Sequence, residues 1–323
     1  MDIQSTTTSN GVNKKKAPFI VFIASLLWAL DSPFRKPLLV GGLQVGFVSL
    51  LEHIFNALVS LPILWRKRHD FLKLSGKKIV ALLYIGAGAS ALGAIVFVKG
   101  AVAMEYNFTV AALLQKFQPI FAIILAAIFL KEKISFKFWL LAIPAIVGAY
   151  LVSFGLVSPQ IIFASASGAS LIGPALAILA ALLWAGGTVV GRGLLSDLSF
   201  EFVTGMRFVF GLLFLIFYVS MWESFQFNLM TGLFWKNAFI IAMLTGFFAL
   251  LLYYYGLRHT KASVATLMEL GYPLALTAVN WKFLGIALST WQILGAVILL
   301  GSVTVIVLYG NVESSVEPEK LSS

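Results

Sequence analysis

A few polar and ionisable side chains lie inside long apolar stretches of this sequence. Glu269 lies within one such stretch, and Tyr272 follows three residues later, so both side chains would project from one face of a helix. A carboxylate held in hydrocarbon costs roughly 3 kcal/mol on insertion scales unless it is paired or hydrated. Glu269 and Tyr272 are therefore candidates for binding a ligand, and Glu269 could also carry a proton.

An internal repeat places Gln115 and Gln118 at the positions equivalent to Glu269 and Tyr272. A proline follows each pair and weakens the backbone hydrogen-bond ladder there, which frees carbonyl groups and allows a bend. Two symmetry-related polar faces predict a binding site between the two halves of the chain. The alternative is that these groups bind one another and hold the helices together.

Three further residues are candidates for contact with a ligand. Lys116 adjoins Gln115 and could bind a substrate carboxylate, form an ion pair with Glu269 or extend towards water. Trp28 and Trp184 could form aromatic walls of a cavity, although tryptophan is also an ordinary residue of helix packing.

A second group of residues could couple or gate a process across a membrane. Glu52 and His53 are adjacent, and a carboxylate beside a histidine is suited to proton handling. The alternative is an ion pair between Glu52 and Arg207 or another basic side chain. Asp31, near one end of its apolar stretch, could act as a gate residue. The coupling or gating candidates are Asp31, Glu52, His53, Lys99 and Arg207.

The composition indicates what surrounds these side chains. Of 323 residues, 60% are hydrophobic and only 11% are charged, and the mean hydropathy is +0.97. A soluble domain carries about 25% charged residues, so this chain cannot build a water-facing surface of its size. A soluble enzyme, a disordered chain, a coiled coil and a disulfide scaffold are excluded, and we expect a polytopic membrane protein in contact with the lipid bilayer.

Several kinds of chemistry have no signature in the sequence. There is no cysteine, and the phosphate-binding loop of ATPases, the paired zinc histidines of metalloproteases and the serine motif of hydrolases do not occur. The net charge of +10 comes from basic residues in short loops, which set topology in a membrane and do not form a nucleic-acid surface. We therefore expect no enzyme, no cofactor, no metal and no nucleic-acid partner.

The chain divides into apolar stretches that are each long enough to cross a membrane as a helix. They cover about residues 18–38, 43–65, 79–100, 107–130, 137–156, 170–195, 201–222, 237–258, 262–283 and 288–310. Most basic residues outside these stretches fall in the connections on one side. The positive-inside rule then predicts that both termini are cytoplasmic and that the number of spans is even.

The repeat also predicts how the two halves are arranged. The segment Leu26-Leu27-Trp28-Ala29 recurs as Leu182-Leu183-Trp184-Ala185, and weaker matches follow in the same order. Five helices per half is an odd number, so the second half must be inserted upside down relative to the first. Inverted repeats provide two near-equivalent arrangements around a midplane site, which favours transport by alternating access.

These features resemble the EamA family of the drug/metabolite transporter superfamily. The resemblance is carried by the duplicated five-helix unit and by the segments Gln115 to Pro119 and Phe129 to Glu132. It implies an all-α fold of ten transmembrane helices in two inverted repeats, with a central cavity lined by the first, third and fourth helices of each half. Two positions depart from the repeat: Ile286 is the counterpart of Glu132, and Glu52 is the counterpart of Arg207.

The predicted function is a secondary transporter that exports small metabolites, amino acids or drug-like compounds. The alternatives are an uncoupled exchanger of the nucleotide-sugar type and, least favoured, an intramembrane protein that transports nothing. A monomer and a homodimer both remain open, and the expected location is a bacterial inner membrane. The predicted divisions are a disordered cytoplasmic tail (1–16), the first repeat (17–156), a linker (157–169), the second repeat (170–310) and a cytoplasmic tail (311–323).

Overall fold

The computed structural model describes residues 16–104, 108–164, 172–284 and 288–309, and the regular structure in these ranges is entirely helical. We number the transmembrane helices α1 to α10. They are α1 (Ala17–Val40), α2 (Val45–Arg66), α3 (Gly76–Ala103), α4a (Phe108–Gln115), α4b (Gln118–Phe129), α5 (Phe136–Phe154), α6 (Ile172–Leu194), α7 (Phe200–Trp222), α8 (Gly232–Leu257), α9a (Ala262–Met268), α9b (Gly271–Leu284) and α10 (Thr290–Tyr309).

The predicted ten-helix fold is confirmed. In the described ranges, nine helical segments have the length and hydropathy to cross a membrane, and the shorter apolar segment α4b continues from α4a after a two-residue break. At 1.5 Å per residue, about 20 residues are needed to cross about 30 Å of hydrocarbon. The pairs α2 with α7, α5 with α10, α3 with α6 and α1 with α8 pack against each other, so every pair joins the two halves.

The inverted relation between the halves is visible at the ends of α2 and α7. The Glu223 carboxylate, just after α7, accepts hydrogen bonds from the backbone N–H groups of Gly46 (3.1 Å) and Phe47 (3.0 Å) at the start of α2. At the opposite side of the bundle, the Asp70 carboxylate, just after α2, accepts from the backbone N–H of Ser199 (3.0 Å) at the start of α7. Each half therefore caps the second helix of the other half, and we call these two contacts the reciprocal caps.

Glycine allows the closest approach between α5 and α10. A Cβ atom added to Gly148 would lie 2.8 Å from the backbone nitrogen of Leu299, so no larger residue fits without displacing the helix. Close backbone contact of this kind replaces the hydrophobic driving force that is missing between helices in lipid.

Four irregular segments occur at equivalent places in the two halves. The helices α3 and α8 each contain a π-helical segment, at Tyr84–Leu92 and Ile241–Phe248. The helices α4 and α9 are each interrupted shortly before a proline, Pro119 in α4b and Pro273 in α9b. Near each proline, where a bend was predicted, the α-helix is interrupted by a two-residue turn, and π-helical segments and interruptions of this kind are frequent at functional sites.

The reciprocal cap at Asp70 makes the stability of the fold depend on pH. Burial by itself raises the pKa of Asp70, but hydrogen bonds from Lys73 and from the hydroxyl and amide of Ser199 outweigh it, so the pKa lies below its usual value. The ionised carboxylate therefore stabilises the fold at neutral pH, and this contribution is lost as the pH falls through the folded-state pKa.

We expect Asp70→Asn to lower the free energy of unfolding at neutral pH by about 1 kcal/mol, the typical cost of a lost helix cap, and so to lower the melting temperature. The difference between the two proteins should begin to shrink as the pH falls below about 4, the usual pKa of an aspartate in the unfolded chain, and should vanish below the lower pKa of the folded state. Thermal unfolding measured from neutral pH down to about pH 3 checks this. A difference that does not change with pH would contradict it.

Candidate functional site

A cluster of polar side chains surrounds Glu269 at the break in α9. The Glu269 carboxylate accepts hydrogen bonds from Gln118 Nε2 (2.8 Å) on α4b, Thr188 Oγ1 (3.0 Å) on α6 and Tyr253 Oη (2.7 Å) on α8. The Thr188 and Tyr253 hydroxyl oxygens are themselves 2.9 Å apart. We call Gln118, Thr188, Tyr253 and Glu269 the Glu269 cluster. It joins one helix of the first half to three helices of the second.

The two helix breaks place this cluster beside two helix N-termini. The second segments of the broken helices begin at Gln118, which bonds Glu269, and at Gly271, two residues after it. A helix N-terminus carries a partial positive charge of about +0.5, which stabilises a nearby anion. Within the described ranges, Glu269 forms no ion pair, and the donors that contact its carboxylate are neutral.

Aromatic rings lie next to the cluster. The Trp28 ring is 5.3 Å from the Tyr253 ring, and the Trp184 ring is 5.4 Å from the Phe97 ring. Trp184 precedes Thr188 by one turn of α6, so both side chains lie on the same face. Trp28 and Trp184, which occupy equivalent positions in the repeat, are both partly exposed rather than buried in the core. The polar cluster is therefore flanked by large flat apolar surfaces.

A second polar group, the Arg35 network, joins α1, α2 and α8. The Arg35 guanidinium donates to both carboxylate oxygens of Asp31 (2.5 and 2.8 Å) and to Glu52 (2.8 Å). The Thr245 hydroxyl, in the π-helical segment of α8, donates to Asp31 (3.3 Å). The Asp31 turn of α1 packs against α9b, the helix segment that follows Glu269 and contains Tyr272.

The third polar group lies between α2, α3, α7 and α8. Arg207 Nη1 donates to Tyr254 Oη (2.8 Å), and its guanidinium lies 5.8 Å from the centre of that ring. His53 Nδ1 is 2.9 Å from the carbonyl oxygen of Ser49, and its Nε2 is 3.2 Å from Ser90 Oγ in the π-helical segment of α3. His53 is therefore a buried residue with a partner for each ring nitrogen, and its proton-handling role beside Glu52 stays a prediction.

Both halves of the chain match one known protein family. The sequence model of the EamA-like transporter family matches residues 15–154 and 171–308, one match for each half. This chain belongs to the EamA-like transporter family. It is a multi-pass membrane protein and a membrane transporter of the drug/metabolite transporter superfamily, as the sequence resemblance implied.

Two individual proteins are similar to this EamA transporter. The riboflavin transporter ImpX of Fusobacterium nucleatum subsp. nucleatum (strain ATCC 23726 / VPI 4351) is 31% identical over 298 residues, which cover 90% of this chain and 97% of the relative. A solved structure titled only as the crystal structure of a protein aligns with a TM-score of 0.70 and 14% identity, over 94% of this chain and 100% of the other. That second likeness shows the fold alone.

The expected pairing of Glu52 with a basic side chain is present in this EamA transporter. The partner is Arg35 and not Arg207, because the first turn of the resumed helix after Asp31 places Arg35 beside both acids. The pair between Lys116 and Glu269, one of the alternatives for Lys116, is absent from the described contacts, because neutral donors occupy the carboxylate. Lys116 instead lies in the gap between α4a and α4b, partly exposed.

Two of the remaining predicted residues adjoin the interruptions in α4 and α9, and the third does not. Gln115 is the last residue of α4a, and Tyr272 is the second residue of α9b, so both flank the helix breaks. Lys99 is elsewhere: it is exposed on α3, and its ammonium lies 5.3 Å from the centre of the Tyr218 ring.

Three residues of the site were missed in the sequence. Thr188 had a signal, since it lies one turn after Trp184 on the same helix face. Arg35 had a weaker one, since it lies four residues after Asp31, with Pro33 between them. In the structure the proline occupies the first turn of a new helical segment, where it is tolerated. Tyr253 is one of three consecutive tyrosines, and no sequence pattern distinguishes it from the others.

Proposed function

We propose that this EamA transporter carries riboflavin, or a planar heteroaromatic compound of similar chemistry, by alternating access. The observation that carries the proposal is the Glu269 cluster, which lies at the breaks of two symmetry-related helices and is flanked by tryptophan rings. The name of the relative from Fusobacterium nucleatum supports riboflavin as the first candidate.

The chemistry of the cluster suits a flat ring system with a polar edge. Stacking on Trp28 and Trp184 would bind the faces of such a ring, since offset aromatic pairs are favourable by about 1 kcal/mol beyond burial. A flavin ring ends in an imide, in which an N–H donor lies between two carbonyl acceptors. Gln118 presents an amide donor and acceptor for one carbonyl and the N–H of that edge, and Glu269 in its protonated form would donate to the other carbonyl. Apolar walls with a few placed polar groups are typical of small-molecule sites.

The architecture supports alternating access. Inverted repeats with broken helices at the midplane allow one half to move against the other around a fixed site. We further infer that Glu269 carries the coupling proton, because its partners are neutral hydroxyl and amide groups that can also bind a protonated carboxyl. Net export remains our prediction for direction. Exchange that is independent of a pH gradient would instead favour the uncoupled exchanger.

We also infer that the side of the bundle where α1 begins faces the cytoplasm of a bacterial cell. Basic residues at this side form ion pairs with acidic residues of α7 and the loop before it: Lys67 with Glu201 (2.9 Å) and Lys78 with Asp197 (2.8 Å). Clusters of Lys and Arg are typical of cytoplasmic loops. Reporter fusions at the two termini would test this orientation.

Flux in liposomes tests the proposed substrate. Reconstituted protein should catalyse saturable counterflow of labelled riboflavin, with measurable flux in both directions. Excess unlabelled riboflavin should compete, whereas ribitol, the isolated side chain, should not, since recognition is assigned to the ring. Comparing inward with outward net flux then decides the direction. The absence of saturable flux from folded protein would refute riboflavin as the substrate, and equal competition by ribitol would refute recognition of the ring.

A further inference from the structure

The helix α9a begins without a cap of its own. Its N-cap residue, Lys261, makes no capping hydrogen bond from its side chain. The carboxylate of Glu132, in the connection after α4b, accepts instead from the backbone N–H groups of Ala262 (2.7 Å) and Ser263 (3.1 Å) and from the Ser263 hydroxyl. A residue that follows α4 therefore satisfies the free donors at the start of α9.

The backbone before Glu132 is shaped for this contact. Lys131 has a positive φ of 52°, unlike every other described residue except two glycines. A left-handed conformation costs a non-glycine residue roughly 1 kcal/mol, so the surrounding structure must stabilise it. The turn directs the chain back over α4b, where the Glu132 N–H bonds the carbonyl of Ala126 (3.2 Å).

Apolar packing lies directly beneath the cap. Ala126 of α4b, Val189 of α6 and Ala262 of α9a form a buried cluster, and Arg192 at the end of α6 donates to the carbonyl of Thr260 (2.9 Å). The ends of α4, α6 and α9 are thus held together at the side where α1 begins. The other segment of the broken helix, α9b, packs against α1 and α5.

This cap differs from the reciprocal caps because the repeat has no carboxylate at the position equivalent to Glu132. Asp70 and Glu223 stabilise α7 and α2 at opposite sides, so their effects are balanced between two states related by the inverted symmetry. The repeat counterpart of Glu132 is Ile286, which lies outside the described residues and whose side chain cannot accept a hydrogen bond. Because a carboxylate occupies this position in the first half and an isoleucine in the second, the Glu132 cap favours the state that is closed at the side where α1 begins.

We propose that Glu132 is a gate residue that holds the bundle closed at the side where α1 begins and must release α9a before the Glu269 cluster opens to that side. The inference rests on alternating access but not on the identity of the substrate. Removing the carboxylate should shift the population towards the state open at this side.

The chain contains no cysteine, so single cysteines can report access directly. Val189 lies beneath the cap and is 2% exposed. A cysteine at this position, Val189→Cys, should react with a membrane-impermeant thiol reagent about tenfold faster when it is combined with Glu132→Ala than when Glu132 is present. The reagent is applied from the side where α1 begins, and no substrate is needed. A lack of riboflavin flux would therefore leave this test intact.

Two controls separate gating from general loosening. Glu223→Ala removes a cap at the other side and should leave the labelling of Val189→Cys unchanged. Ala238→Cys, 1% exposed in a separate core cluster, should label equally slowly with and without Glu132. Unchanged labelling of Val189→Cys in folded Glu132→Ala would overturn the proposal. An equal rise at both cysteines would also overturn it, because it would assign Glu132 a purely structural role.

Discussion

Glu269→Gln is expected to abolish the dependence of flux on a pH gradient while substrate exchange remains measurable. Glutamine has the shape of glutamate but does not take up a proton at physiological pH. Its carbonyl oxygen can still accept from Thr188 and Tyr253, and Gln118 can turn its amide so that its own oxygen faces the new amide group. The cluster should therefore retain its structure and lose only its titration.

The experiment compares net flux with and without an imposed pH gradient in the same liposomes. Unmodified protein should accumulate substrate when the gradient is present, whereas Glu269→Gln should show the same flux in both conditions. Glu223→Gln is the matched control, since it changes a carboxylate that caps a helix away from the cluster. If Glu269→Gln responds to the gradient as fully as the control, Glu269 does not carry the coupling proton.

Arg35→Met is expected to destabilise the protein by about 3 kcal/mol, at the lower end of the range for breaking a buried ion pair. The side chains of Asp31 and Glu52 are 25% and 16% exposed, so both carboxylates would lose their shared cation in a largely dry environment. The loss should exceed that of any single neutral hydrogen bond in the site, which is typically about 1 kcal/mol.

Thermal unfolding in detergent measures this effect, and the neighbouring residue supplies the control. Lys36 is exposed, so Lys36→Met removes an equal charge from the same helix turn without exposing an unpaired carboxylate. Neutralising the partners as well, with Asp31→Asn and Glu52→Gln, should restore most of the lost stability. If Arg35→Met melts at the same temperature as Lys36→Met, the network contributes nothing to stability.

The sequence predicted the helices well because their signals are local. Hydrophobic length identified the spans, and Pro119 and Pro273 identified the two breaks, since a missing N–H acts within its own turn. The repeat placed Gln118 and Glu269 on two symmetry-related polar faces, and the structure joins them by a hydrogen bond.

The partners of each side chain could not be predicted in the same way. A helical period gives the face on which a residue lies, but not which helix lies opposite. A basic partner was therefore expected for Glu52, Arg207 or another, and only the packing of α1 against α2 selects Arg35. Tyr253 bonds Glu269 from α8 for the same reason, and only the tertiary arrangement selects it among three adjacent tyrosines.

The reciprocal caps have a consequence for how such a protein could arise and assemble. The N-cap residues of α2 and α7 make no capping bonds from their own side chains, so each half depends on a carboxylate from the other. A half-length ancestor could have met this need only by associating with a second copy inserted in the opposite orientation. Fusion of the two genes would then have placed both caps within a single chain, in which each half still receives its cap from the other.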